Sequence, residues 1–80
     1  MKAYLADSFS DEDGPMATEG KTVIIHASKA EVLAIARYMT EVAEHLEGAN
    51  YCHMHLRDSM NGWSKSKHID IEITVDERAV

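Results

Sequence analysis

The side chains best suited to chemistry in this chain are imidazoles and carboxylates gathered in its second half: Cys52-His53-Met54-His55, then His68, Asp70 and Glu72, with His26 standing apart. Nitrogen and oxygen donors hold a divalent metal when three or four of them converge to about 2.0–2.3 Å from one point. A His-x-His pair on a strand turns both rings to one side, so His53 and His55 could share an ion with His68 or Asp70 from the next strand. Cys52 alternates to the other side and is excluded from such a set. The same residues have a plainer reading. If Arg57 pairs with His68 across a hairpin, His55 faces Asp70 and His53 faces Glu72, and each pair stabilises the sheet by a few tenths to about 1 kcal/mol. The plainer reading is preferred, and no metal or other cofactor is assigned.

An enzyme needs a nucleophile or an acid–base pair in a pocket. Cys52 is followed by His53, but neighbours on a strand point to opposite faces. Asp70 and Glu72 share a face like paired carboxylates, yet the open sheet of so small a chain offers little cavity to desolvate them. Gly14, Gly20, Gly48 and Gly62 are too scattered for a phosphate-cradling loop. The expectation is a protein that is not an enzyme.

These side chains must be positioned by elements readable from patterning. Met1 to Ala6 alternates as a short strand, and Lys21 to Ala27 is a strand whose β-branched run Thr22-Val23-Ile24-Ile25 suits an interior position in a sheet. Ser28-Lys29-Ala30-Glu31 matches a capping box, opening a helix from Lys29 to Glu47 that Gly48 stops by entering the left-handed region. Its apolar stripe is Val32, Ile35, Ala36, Met39, Val42, Ala43 and Leu46. Tyr51 to Arg57 alternates with Cys52, Met54 and Leu56 inward. His68 to Asp76 alternates with Ile69, Ile71, Ile73 and Val75 inward, and Asn61-Gly62 marks a turn between the two. The expected fold is α+β: β-β-α-β-β, a four-stranded, mainly antiparallel sheet with one helix packed on one face. The uncovered face must meet water or be covered by a second chain, so a homodimer through that face or an edge strand is expected.

The chain has 80 residues, which fit a single domain over 1–80. Hydrophobic residues make up 45% and charged residues 28%, the range of folded domains. The formal charge of −6 argues against direct contact with nucleic acid or an anionic membrane through a basic surface, and favours a protein partner with a basic surface. No apolar run approaches the roughly 18 residues of a membrane span, the first ten residues lack the marks of a signal peptide, and the one cysteine cannot form an internal disulfide. Cytoplasmic residence is the default expectation. The loop 7–20 carries Asp7, Asp11, Glu12, Asp13 and Glu19 with no Lys or Arg, and reads either as a solvated connection or as an acidic recognition finger. Tyr51, His53, His55, Arg57 and Trp63 are residue types that anchor interfaces, although Trp63 reads equally as a cap folded over the sheet edge.

The stretch Tyr51 to Asp58, the turn Asn61-Gly62-Trp63-Ser64 and the strand His68 to Val75 together resemble a small family of bacterial polymorphic-toxin immunity proteins. Their ending runs His-x-His-x-x-Asp, a Gly-Trp turn and a final Ile-rich strand after a single helix. His53, His55, Asp58, Gly62 and Trp63 carry the likeness, which covers about residues 22–77; the acidic loop is longer than the family's pattern. The resemblance implies a protein that neutralises a toxin by binding it, commonly a nuclease with a basic site that an acidic inhibitor would suit. Size and charge alone also fit phage anti-CRISPR proteins that cover the nucleic-acid channel of a CRISPR effector complex. In either case the expected contact residues are Asp11, Glu12, Asp13, His53, His55, Arg57 and Trp63.

Overall fold

The computed structural model describes residues 1–7 and 21–78. The elements run β1 (Lys2–Asp7), β2 (Lys21–His26), α1 (Lys29–Glu47), β3 (Tyr51–His55), the single helical turn α2 (Leu56–Ser59) and β4 (Glu72–Asp76). The class is α+β, with one main helix and antiparallel strands. The acidic residues Asp11, Glu12 and Asp13 lie outside the described residues.

Helix α1 begins where its capping box places it. The Ser28 hydroxyl accepts the Glu31 N–H at 3.2 Å, and the Glu31 carboxylate accepts the Ser28 N–H at 2.7 Å, so two of the N–H groups a helix start leaves over are satisfied by each other's residues. At the far end Gly48 has φ −114°, so the helix stops without the left-handed residue expected there. Instead, the Gly48 N–H reaches the His45 carbonyl and the His45 ring bonds the Tyr51 carbonyl at 2.9 Å, carrying the chain directly into β3. Among the described residues only Gly62, at φ +74° in the Asn61-Gly62 turn, occupies the region glycine favours.

The strands pair two by two, β1 with β2 and β3 with β4, and not as one four-stranded sheet. Period-two alternation fixes that a segment pairs and which face it buries. Which edge it then joins is decided by tertiary contacts that alternation does not encode. Strand β2, read as interior from its β-branched run, has β1 as its one strand partner among the described residues. The β1–β2 register brings Ala3 opposite Ile25 and Leu5 opposite Val23, so these four share one face. That face is open to solvent, with Leu5 69% and Val23 65% exposed.

The core sits under the other hairpin. Tyr38, Val42, Cys52 and Leu56 are buried together, with Ile35, Leu46, Met54, Met60, Trp63, Ile71, Ile73 and Val75 packed around them. The helix face turned inward is therefore Ala34, Ile35, Tyr38, Val42 and Leu46, rotated from the expected stripe; Val32 and Met39 are exposed. Tyr38 drives the rotation. Its ring is the largest side chain on the helix, and its hydroxyl, which sequence patterning counts as polar, is satisfied inside by the Met54 and Ile71 carbonyls, both at 2.9 Å. Burial pushes the Tyr38 phenol up from its ordinary value and keeps it a neutral donor.

Strands β3 and β4 are each shorter than their alternation suggests. The ladder runs from Tyr51↔Asp76 to His55↔Glu72, and there β3 turns into α2. Leu56 N–H still reaches the Ile71 carbonyl at 2.9 Å, but the Arg57 N–H is taken by the Asp70 carboxylate at 3.0 Å. A side chain thus replaces the next rung and caps the free N–H of the helical turn. The register is displaced by two residues from the expected Arg57–His68 pairing, so His55 lies opposite Glu72 and His53 opposite Thr74.

Candidate functional site

Strand β3 presents His53 and His55 on the outer face, one pleat apart, while Cys52 points into the core and gives its thiol hydrogen to the Ile73 carbonyl at 3.7 Å. The carboxylates come from the β4 side. Although the backbone register is displaced, His55 still reaches Asp70, Nδ1 to Oδ2 at 2.6 Å, and its Nε2 lies 3.8 Å from Glu72 Oε1. His53 Nδ1 lies 3.2 Å from the Thr74 hydroxyl, which is 2.6 Å from Glu72 Oε2. The two imidazoles meet edge to face, Nε2 to Nε2 at 3.1 Å.

The carboxylates favour one placement of the hydrogens. A carboxylate only accepts, so His55 Nδ1 carries the hydrogen it gives to Asp70. The Thr74 hydroxyl has one hydrogen, given to the Glu72 carboxylate; it therefore accepts from His53 Nδ1–H. Both rings are then hydrogen-bonded at Nδ1, and their two Nε2 atoms stand 3.1 Å apart. Two acceptors 3.1 Å apart repel unless something positive lies between them. Glu72 adds a third donor atom, and single atoms from His53, His55 and Glu72 all lie within 4.8 Å of one another.

The carboxylates are kept ionised. Partial burial acts to raise Asp70, but the Arg57 N–H, the His55 ring and the Arg57 guanidinium 3.7 Å away outweigh it and hold the carboxyl below the ordinary aspartate value. Glu72 is lowered chiefly by the Thr74 hydroxyl and further by the two imidazoles. Beside the cluster a cleft of about 180 Å3 is lined by Glu41, Met54, Asp58 and Ser59 together with both histidines. Glu41, on α1, accepts a hydrogen bond from the Ser59 hydroxyl at 2.8 Å.

The remaining sequence candidates fall elsewhere. Trp63 folds over the core, its indole N–H donating to the Ile69 carbonyl at 2.8 Å. Arg57 sits on α2, half exposed, with its guanidinium toward Asp70. His68, considered as a third ligand, is drawn away. Its Nδ1 accepts the Ser64 N–H at 3.0 Å and its Nε2 meets Glu31 at 3.2 Å, tying the Ser64–His68 loop to the capping box of α1. His26 lies on the first hairpin, edge-on to Tyr4 at 5.5 Å. Asp70, the other expected third ligand, stands behind His55, and Glu72 takes the place beside the two Nε2 atoms. The two-residue displacement of register exchanged these two roles. Thr74, which orients His53, had no signal in the sequence beyond its outward position on β4.

Comparison with protein-family models, curated proteins and solved structures returns no match. The site therefore stands on its own geometry. Among the described residues no helix is long and apolar enough to cross a membrane.

Proposed function

We propose that this chain works as a stoichiometric inhibitor that binds and neutralises a protein, in the manner of a toxin immunity protein, its target carrying a basic nucleic-acid-processing site. The observation that carries the reading is the open face of the first hairpin: Ala3, Leu5, Val23 and Ile25 lie together and exposed, although burying each large aliphatic side chain would be worth about 1.5–3 kcal/mol. A contiguous apolar face on a ribbon that is two-stranded among the described residues is what a partner covers. The formal charge of −6 over 80 residues supplies long-range attraction toward a basic partner. Apolar contact would provide the affinity and charge the rate of encounter. The likeness of the His-x-His strand and Gly-Trp turn to immunity proteins supports the same reading.

The test is co-expression with a toxin encoded beside this chain, followed by size-exclusion chromatography and a survival assay. Expected are a complex in fixed ratio and protection of the host, both lost in Leu5→Asp with Val23→Asp while the circular dichroism spectrum is unchanged. The association rate should fall as salt is added. Free toxin and free inhibitor at micromolar concentration, or full protection by the double variant, would refute the reading. A homodimer that the double variant dissociates would assign the face to a second copy of the chain instead.

A further inference from the structure

We propose that His53, His55 and Glu72 form a binding site for a divalent first-row transition ion of the Zn2+ class, with Asp70 as the carboxylate that orients His55. The site lies apart from the face of the first hairpin, and its test does not require a partner.

Three features of the outer face point to a cation. The first is the pair of Nε2 atoms held 3.1 Å apart, each ring fixed by a hydrogen bond at its far side. Two nitrogens at that separation, each about 2.0–2.1 Å from a shared ion, subtend roughly 100° at it, between the octahedral and tetrahedral angles. The ion would lie off the line joining the two nitrogens, so each ring turns modestly on its side-chain torsions to face it. The second is the carboxylate on the neighbouring strand. Glu72 Oε1 is 3.8 Å from His55 Nε2, and donors sharing an ion stand about 3.0–3.5 Å apart, so a small rotation of a half-exposed side chain completes a two-histidine, one-carboxylate set. The third is the support behind the donors. Asp70 accepts from His55 Nδ1, the carboxylate–histidine arrangement that fixes the tautomer and raises the basicity of a metal-binding ring, and its second oxygen is held by the Arg57 N–H. His53 has the equivalent support from Thr74.

The donor set selects the class of ion. Imidazole with a single carboxylate suits Zn2+ and its neighbours, whereas Ca2+ and Mg2+ take mostly oxygen ligands. Two strands supply only three donors, so coordination positions remain for water or another ligand. The cleft lined by both histidines, with Glu41 and Asp58 on its wall, gives them room.

The experiment is calorimetric titration of the metal-free chain with Zn2+, repeated with Co2+ while its visible absorption is followed. Expected are one equivalent bound, nitrogen-ligated Co2+ bands, and a melting temperature that rises with Zn2+ concentration by mass action. His53→Ala and Glu72→Gln, both at half-exposed positions that the fold tolerates, should each weaken binding by at least tenfold. Asp70→Asn keeps an acceptor for the Arg57 N–H and should weaken it about 10–100-fold through His55 alone. His26→Ala should bind like the parent. Absence of saturable Zn2+ and Co2+ uptake would show that only a shared proton bridges the rings and would overturn the proposal. Undiminished uptake in both His53→Ala and Glu72→Gln would overturn it equally.

Discussion

The two hairpins of this molecule share antiparallel pairing and nearly equal strand lengths, yet one is knitted into a core and the other is not. In β3–β4 the inner face lies on α1, and the outer face is a continuous run of hydrogen bonds from Asp70 through His55, His53 and Thr74 to Glu72. In β1–β2 one face is Ala3, Leu5, Val23 and Ile25, open to solvent. Strand pairing makes a ribbon; cover from another element makes a core. The ribbon without cover is the surface free to find it in another molecule.

The contrast is broken most severely at Leu56. Its side chain is fully buried at the start of α2, against Tyr38, Val42 and Cys52. Leu56→Ala should cost about 2–5 kcal/mol, the lost transfer energy plus the cavity left behind. Urea denaturation followed by circular dichroism checks this. A cost below about 1 kcal/mol would mean the core is not the unit described.

Tyr38→Phe is the next largest. It keeps the ring and removes the one hydroxyl hydrogen shared between the Met54 and Ile71 carbonyls beneath the helix. The Ile71 carbonyl keeps the Leu56 N–H, so the loss is that of a hydrogen bond, about 0.5–1.5 kcal/mol, read by the same denaturation curves. The outer face above should survive, because its hydrogen bonds do not pass through Tyr38.

How much of this could be read from the residues differs along the chain. Both bounds of helix α1 were legible, the first through Ser28 and Glu31, which act within one turn of themselves; the stop at Gly48 comes without the left-handed conformation expected of it. The inward direction of Cys52, Met54 and Leu56 was legible too, because a period of two survives any even displacement of register. The register was not. Its choice depends on Asp70 capping the Arg57 N–H, a side chain displacing a rung of the ladder, which no periodicity announces. For the same reason Glu72 and Asp70 exchanged places around the histidines. The helix stripe was misjudged at Tyr38, whose buried hydroxyl is paid for by carbonyls from two other segments. The separation of the hairpins was not legible either, since Val23-Ile24-Ile25 shows the same β-branched run whether a strand is interior or waits at an edge.

The capping box sharpens the comparison by linking helix and loop. Glu31 accepts from Ser28 N–H and also meets His68, so one carboxylate anchors the start of α1 and the Ser64–His68 loop. Ser28→Ala should cost about 1 kcal/mol. The Ser28 N–H, opposed by desolvation, holds the Glu31 carboxyl below its ordinary value of 4.5. A lowered folded value means the anchored state binds fewer protons than the unfolded one. Its stability is thus fully present above the ordinary glutamate value and is lost as pH falls from there through the folded value. Melting temperatures taken down that acid range should fall less steeply in Glu31→Gln than in the parent. Equal slopes would remove Glu31 from the acid sensitivity.

The smallest effect on stability is expected on the first hairpin, and it is the most telling. Leu5→Ala and Val23→Ala each remove apolar surface that is already in water in the free chain, so little transfer energy is lost and no cavity forms. Each should change stability by no more than about 0.5 kcal/mol, the ordinary range for surface positions. The same substitutions remove the contacts a partner would bury, so affinity for that partner should fall by about 1 kcal/mol or more for each side chain that sits at the centre of the interface. Paired measurements on one set of variants, denaturation for the free chain and calorimetry for the complex, separate the two quantities. Loss of stability equal to that of Leu56→Ala would mean the ribbon is covered within its own chain, and the distinction between the hairpins would vanish.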